Sequence, residues 1–413
     1  MDSETLRICL LTYRGNPTCG GQGVYIKYLS LALRDLGHHV DVISGPPYPE
    51  LADNITLIKL PGLDLYNSEH LFKIRNIRDL KSPINQLEFL SMCLGGFPEP
   101  FTFGSRVSKY FRKHLPDYDV VHDNQSLSYG ILGVRHLGYR TVATIHHPIT
   151  IDRNEELKAA RSWIRKLQIL RWYAFIGMQK RVSRKLSAII TVSECSKKDL
   201  HRTFCIPESR FRVVPNGINT DYFYPIPHIK RKENQIIVTN SADTPLKGLK
   251  YLLHVVASIR KNRRINLVVI GSPKNNGHVD KLVKELGLLD CVEFTGKIRN
   301  EDFAHRYAKA TMAVIPSLYE GFGMPAGEAM ACGIPVISTA GGALPEVVGD
   351  AGILVPPADV TALKTAIMFL LDNPAKRREL SQAGIERVKK SFTWGHAAQK
   401  TVDVYREEVH AHR

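Results

Sequence analysis

The stretch Ser317-Leu318-Tyr319-Glu320-Gly321-Phe322-Gly323-Met324-Pro325-Ala326-Gly327-Glu328 concentrates residues that can do chemistry. Two glutamates stand there with seven residues between them, three of which are glycine. A carboxylate accepting from two vicinal hydroxyls suits a ribose diol or a hexose. Pro325 occupies the favoured first-turn position of a helix. The N-terminus of such a helix presents unpaired N–H groups and the positive end of the peptide dipoles, which can hold a pyrophosphate or several sugar hydroxyls. The same residues also fit surface glutamates on an ordinary strand–turn–helix. A third reading is dinucleotide binding, through Gly321-x-Gly323-x-x-x-Gly327 with Glu346 further on. That pattern has one residue too many between its last glycines, so hydride chemistry is disfavoured. His146 and His147 are a second candidate. They precede Pro148 at the end of a predicted strand, where loops of doubly wound sheets carry function, and adjacent strand residues face opposite sides.

Elements to position these groups are legible in the apolar pattern. Leu6–Thr12 reads as a buried strand, followed by a turn-rich loop with Gly20-Gly21-Gln22-Gly23. Tyr25, Tyr28, Leu29, Ala32 and Leu36 then fall at helical spacing. Further strands are expected at Val40–Ser44, Val120–His122, Thr141–His146, Ala188–Ser193 and Phe211–Pro215. The pattern restarts at Ile236–Ser241 and continues with Leu267–Ser272, Val292–Gly296, Met312–Ser317, Pro335–Ala340 and Gly352–Pro356. Helices are expected over Lys247–Lys261 and Asn300–Ala310. Strands alternating with helices imply parallel sheets covered on both faces. Two doubly wound domains are therefore expected, residues 1–220 and 221–393, with a polar, proline-bearing linker after Asp221.

A chain of 413 residues suits two such domains, and its 44% hydrophobic and 23% charged content excludes wholesale disorder. No apolar run reaches the roughly 18 residues of a membrane span, and the acidic start lacks the features of a secretory leader. Seven scattered cysteines, none in a C-x-x-C pair, argue against a disulfide framework or structural zinc. The net charge is +16, spread over both halves, which favours polyanionic partners without choosing among them. Arg153–Lys185 carries ten basic residues, with Glu155 and Glu156 as its acids, interleaved with Trp163, Trp172 and Phe175 among other apolar residues. Such a segment can lie on an anionic bilayer, or form a long helix with a solvated basic face. Nucleic acid is not expected as a partner, because no helix-turn-helix, zinc-finger or RNA-recognition signature accompanies the charge.

Taken in order, several short stretches resemble family 4 glycosyltransferases of the GT-B fold. They are Gly20-Gly21 with Leu36-Gly37-His38, Thr144-Ile145-His146, Thr191-Val192-Ser193, Pro215-Asn216-Gly217-Ile218-Asn219, Lys247-Gly248, Glu320-x7-Glu328 and Gly341-Gly342-Ala343-Leu344-Pro345-Glu346. The resemblance implies two Rossmann-like domains facing an interdomain cleft, with a nucleotide-sugar donor on the second and the acceptor mainly on the first. A helix over about 394–413 would cross back to the first domain. It implies transfer with retention of anomeric configuration. Catalytic roles fall to His146, donating a hydrogen bond beside the reacting sugar, to Glu320, and to Lys247 at the departing diphosphate. Donor contacts fall to Gly21, Ser241, Gly321, Phe322, Gly323 and Met324, and ribose binding to Glu328. No metal or other cofactor is implied, and Asp117-Tyr118-Asp119 reads as strand-edge polarity rather than a metal-binding D-x-D. Ser241 stands where the pattern usually has arginine, so Lys274 or Lys297 is the alternative cation. The acceptor is a sugar, a glycan or a lipid-linked glycan, and the expected location is cytoplasmic, free or peripheral on the inner membrane face. Another GT-B enzyme, a sugar-nucleotide epimerase or phosphorylase, is the alternative, and a nucleic-acid-binding protein is a lesser one.

Overall fold

The computed structural model describes residues 5–16, 21–66, 77–239, 244–274 and 277–411. The chain divides into two units. One comprises Met1–Val192, Ser196–Val214 and Ala397–Arg413; the other comprises Ser193–Cys195 and Pro215–His396.

The first unit is built on seven parallel strands: β1 (Arg7–Thr12), β2 (His39–Ser44), β3 (Thr56–Lys59), β4 (Val120–Asn124), β5 (Arg140–Ile145), β6 (Ala188–Thr191) and β7 (Phe211–Val213), in the order β3-β2-β1-β4-β5-β6-β7. Its helices are α1 (Gly21–Asp35), α2 (Pro83–Cys93), α3 (Glu99–His114), α4 (Tyr129–His136), α5 (Thr150–Ala159), α6 (Trp163–Trp172), α7 (Ile176–Ser183) and α8 (Glu194–Phe204). The second unit has six parallel strands: β8 (Gln235–Thr239), β9 (Asn266–Ile270), β10 (Val292–Phe294), β11 (Met312–Ile315), β12 (Val336–Thr339) and β13 (Gly352–Val355), in the order β10-β9-β8-β11-β12-β13. Around it lie α9 (Leu249–Arg260), α10 (His278–Glu285), α11 (Asn300–Lys309), α12 (Met324–Ala331), α13 (Leu344–Val348), α14 (Val360–Asp372) and α15 (Pro374–Ser391). The last helix, α16 (Trp394–His410), returns to the first unit, where Tyr405 is fully buried and Glu407 pairs with Arg212 at 2.8 Å.

Central strands such as β6, β11 and β12 are buried along their whole length, as strands covered on both faces must be. That is why they read as short continuous apolar runs. Each sheet reverses its order once, between β1 and β4 in the first unit and between β8 and β11 in the second. Ligands of doubly wound sheets sit beyond the carboxyl ends of the strands at such reversals. Three of the expected site residues follow strands at the reversals, Gly21 after β1, Lys247 after β8 and Glu320 after β11, and His146 follows β5, the neighbour of β4.

The basic segment is not one long helix. It breaks into α5, α6 and α7, because Ser162 caps α6 by accepting from the Arg165 N–H at 3.2 Å and a tight turn at Tyr173–Phe175 ends it. The edge strand β3 escaped the sequence pattern, since its residues are exposed or half-buried rather than buried.

Candidate active site

In the second unit, the loop after β11 is locked to the turn that carries Lys247. Leu318 N–H donates to the Leu246 carbonyl at 2.7 Å. Gly248 takes φ +65°, and a Cβ there would lie 1.9 Å from the Pro316 carbonyl oxygen. Only glycine permits this approach, and it brings Lys247 to the glutamate. Lys247 Nζ donates to Glu320 Oε1 at 2.8 Å, and Ser317 Oγ donates to the same oxygen at 2.7 Å. Both side chains of the ion pair are mostly withdrawn from solvent, and Oε2 of Glu320 stays available. The Gly341-Gly342 loop backs this arrangement, with Ala343 N–H donating to the Glu320 carbonyl at 2.9 Å.

Gly323, at φ +107°, precedes α12, and Pro325 lies in its first turn. The first N–H groups of the helix are thereby presented at its start without intrahelical acceptors. Phe322 turns inward, 6% exposed, its ring 5.7 Å from that of Phe392. Glu328 lies one turn into α12. Its carboxylate makes no hydrogen bond or ion pair among the described residues. Burial pushes it up to about 7, with Lys247 pulling the other way. Tyr307 beside it is buried, and its hydroxyl meets Thr239 Oγ1 at 2.8 Å. Ser241 lies outside the described residues. Lys274 and Lys297 are both exposed; the side-chain partners of Glu320 are Lys247 and Ser317.

In the first unit, His146 and His147 point apart. His147 Nε2 meets Asp152 Oδ2 on α5 at 2.7 Å. His146 Nε2 meets Asn124 Oδ1 at 2.8 Å, its N–H donates to Gln125 Oε1 at 3.0 Å, and its ring lies edge-on to Tyr25 at 4.6 Å. Asn124 Nδ2 donates to the Gln22 carbonyl at 3.3 Å, which turns Oδ1 toward the imidazole. His146 Nε2 must then carry the hydrogen, leaving Nδ1 as an acceptor. Burial, then the neighbouring His147, pushes His146 down to about 3, so the ring is neutral at physiological pH. Behind it, His122 bridges Tyr405 of α16 and Thr144, and Thr144 in turn meets the Tyr25 hydroxyl at 3.1 Å. A Cβ at Gly21 would meet nothing within 4 Å, whereas one at Gly23 would lie 2.1 Å from the Asn16 carbonyl oxygen. The fold therefore demands glycine at 23 and leaves open space beside Gly21.

Asn124 was not singled out from the sequence, and Tyr25 and Gly248 were named there only as part of a helical pattern and of the Lys247-Gly248 stretch. Asn124 was findable as the polar end of a strand flanking a switch point. The others depend on contacts between distant segments. Asp117 and Asp119 both engage Arg7, through its side chain and its N–H respectively, which occupies them structurally. Among the described residues, no group of three or more His, Cys, Asp or Glu side chains is arranged to hold a metal ion.

Residues 19–222 match the model of Glycosyltransferase Family 4, and residues 224–387 that of Glycosyl transferases group 1. The chain is 44% identical over 408 residues to an MMP alpha-(1→4)-mannosyltransferase of Mycolicibacterium hassiacum, covering 98% of each chain. It is 27% identical to a D-inositol 3-phosphate glycosyltransferase of Catenulispora acidiphila, covering 99% of this chain and 96% of the relative. Among solved structures, a sucrose-phosphate synthase of Thermosynechococcus elongatus superposes with a TM-score of 0.75 at 26% identity, over 98% of this chain and all of the other. Two doubly wound parallel sheets, two adjoining family matches and a full-length relative agree: the chain belongs to the family 4 glycosyltransferases, is a glycosyltransferase, and has the GT-B fold.

Proposed function

We propose that the chain transfers a mannosyl residue from a nucleoside-diphosphate mannose to a sugar hydroxyl, with retention of configuration. The named activity of the 44% identical relative supports the sugar. The observation that carries the donor site is the withdrawn Glu328 carboxylate, lacking a hydrogen-bond partner among the described residues, beside the Lys247–Glu320 pair. The two hydroxyls of a ribose would supply the donors that this half-buried carboxylate lacks.

In this reading the bond between the anomeric carbon and the phosphate oxygen breaks as the acceptor oxygen bonds to that carbon on the same face, and the acceptor's hydroxyl proton passes to the departing phosphate oxygen. Negative charge gathers on the departing diphosphate. Lys247 and the N-terminal N–H groups of α12 stabilise it, a preorganised arrangement that is most effective where charge develops. Glu320, its Oε1 already held by Lys247 and Ser317, offers Oε2 to the sugar hydroxyls. His146 accepts from a sugar hydroxyl through Nδ1, because Asn124 has taken its Nε2–H; this replaces the donor role expected from sequence. The positive charge comes from side chain and backbone, and no metal enters the step. The test is incubation with mannose-labelled nucleotides differing in base, against a manno-oligosaccharide acceptor. Transfer from one of them supports the reading; release or transfer from none contradicts it.

We also propose that the first unit rests on an anionic membrane surface, where a lipid-linked acceptor would be met. On α6, Trp163, Ile164, Leu167 and Leu170 are all exposed, Trp163 by 71%, on the side opposite the buried Ile169. Leu87, Leu90 and Leu94 form a second exposed stripe on and just after α2. Aromatic packing of Trp172 on Phe97, 5.2 Å between centroids, brings the ends of α2 and α6 together. Exposed Arg161, Arg165, Lys166 and Arg171 flank the apolar stripe, the composition of an interfacial helix. No helix among the described residues is long and apolar enough to cross a membrane. Flotation with phosphatidylglycerol vesicles at low salt tests this: wild type should float and Trp163→Glu/Leu167→Glu should not. A wild type that stays at the bottom overturns it.

A further inference from the structure

Away from the candidate active site, the second unit carries an open cavity of about 370 Å³ at the start of α15. Arg231, Arg377 and Arg378 line it, with Ser381 beside them and Pro374 and Ile385 as apolar wall. None of the three arginines forms an ion pair among the described residues. Arg231 Nη2 donates to the Gly333 carbonyl at 2.6 Å, and Arg377 Nη1 donates to the Leu370 and Leu371 carbonyls at the end of α14. Those bonds fix two guanidinium planes while leaving most of their N–H groups uncommitted. Arg378 has no hydrogen-bond partner among the described residues, and the buried Ser381 Oγ has none either. The nearest carboxylate influence, Asp372, is already engaged by Arg263 at 2.5 Å.

We infer that this cavity is a second ligand site, which binds the phosphate of a small organic phosphate ester. Several guanidiniums converging without a carboxylate match a phosphate's three oxygens, and Arg supplies the planar, bidentate contacts such a group takes. Ser381 Oγ adds a neutral donor, and the start of α15 adds the positive end of an 18-residue helix. The volume lies within the range of small-molecule pockets, so the wall of Pro374 and Ile385 accommodates an organic body beyond the phosphate. Like-charge crowding supports the assignment: burial and then Arg377 push Arg231 down, and burial followed by Arg263 and Arg378 does the same to Arg377. An incoming dianion relieves that repulsion.

The site is also physically joined to α12. Ile385 Cδ1 packs against Gly333, the residue after the C-cap of α12, and Arg231 binds the carbonyl of that same glycine. Its occupancy does not depend on what the active site transfers.

Isothermal titration calorimetry with mannose 6-phosphate, glycerol 3-phosphate and inorganic phosphate tests the inference, with mannose as the uncharged control. Wild type and Lys247→Ala should both bind the two esters saturably at one site and more tightly than inorganic phosphate. Arg378→Glu should weaken them by about tenfold or more, since it removes one charge-assisted contact and adds a repulsive one. Arg378 holds nothing else in place, so an unchanged melting temperature for this variant is expected. Absence of saturable binding by the esters, binding untouched by Arg378→Glu, or binding lost in Lys247→Ala would each overturn the assignment. Equal affinity for inorganic phosphate and the esters would overturn the ester specificity.

Discussion

Replacing Glu328 by glutamine should stabilise the protein and disable it, with the stabilisation appearing only as pH rises. The ordinary glutamate value is 4.5, and in the fold burial pushes Glu328 up to about 7. Between those values the folded protein holds a proton that the unfolded chain has released. The favourable contribution is therefore fully present below pH 4.5 and is lost as pH rises through 7. The difference corresponds to about 3 kcal/mol at about 1.36 kcal/mol per pH unit. Glutamine keeps the shape and cannot ionise, so it is spared the loss. A kcal/mol moves the melting temperature of a domain this size by about 2–4 °C. The variant should accordingly melt with wild type near pH 5 and about 6–12 °C above it by pH 8.5. Differential scanning calorimetry across that range reads the difference directly. Donor-nucleotide affinity should fall at the same time, because a carboxylate that accepts from both ribose hydroxyls is replaced by a group that presents one oxygen. A melting difference independent of pH, or a variant less stable than wild type at pH 8.5, would refute the reasoning.

Three further outcomes follow from the geometry. Gly248→Ala should destabilise by more than about 2 kcal/mol, through its positive φ and the Pro316 carbonyl, whereas Gly21→Ala should leave the melting temperature unchanged and raise the donor KM; equal melting losses would contradict the division of labour between these glycines. Glu320→Ala and His146→Ala should each lower turnover by on the order of 100-fold while circular dichroism stays native; near-normal kinetics in both would remove them from the site. Asn124→Leu should lower kcat by about 10-fold with little change in KM, because it frees the His146 tautomer without touching the donor site; an unchanged kcat would mean that the tautomer is immaterial.

Sequence patterning was most informative where strands are buried on both faces, and it failed at β3, whose exposed residues carry no apolar signal. The Glu320–Glu328 block was legible because glycines and proline at fixed offsets mark a strand–turn–helix. Its energetics were not. That Lys247 grips Glu320 rests on the Leu318–Leu246 backbone bond, a contact across more than 70 residues. The unsatisfied state of Glu328 depends on which groups fail to reach it, and no spacing encodes that. His146 was identifiable from the resemblance, but its tautomer follows from Asn124 at the end of β4 and Gln22 in the first turn of α1, which are distant in sequence. The basic segment was visible as composition, while its division into three helices turned on Ser162 as a cap.

Retaining transfer of mannose from a nucleotide donor is read in the anomeric configuration of the product, through the one-bond carbon–proton coupling of a ¹³C-labelled mannose supplied as its α-linked nucleoside diphosphate. An α-mannoside is expected. A β-mannoside, or no transferred mannose with any nucleotide base, would contradict it.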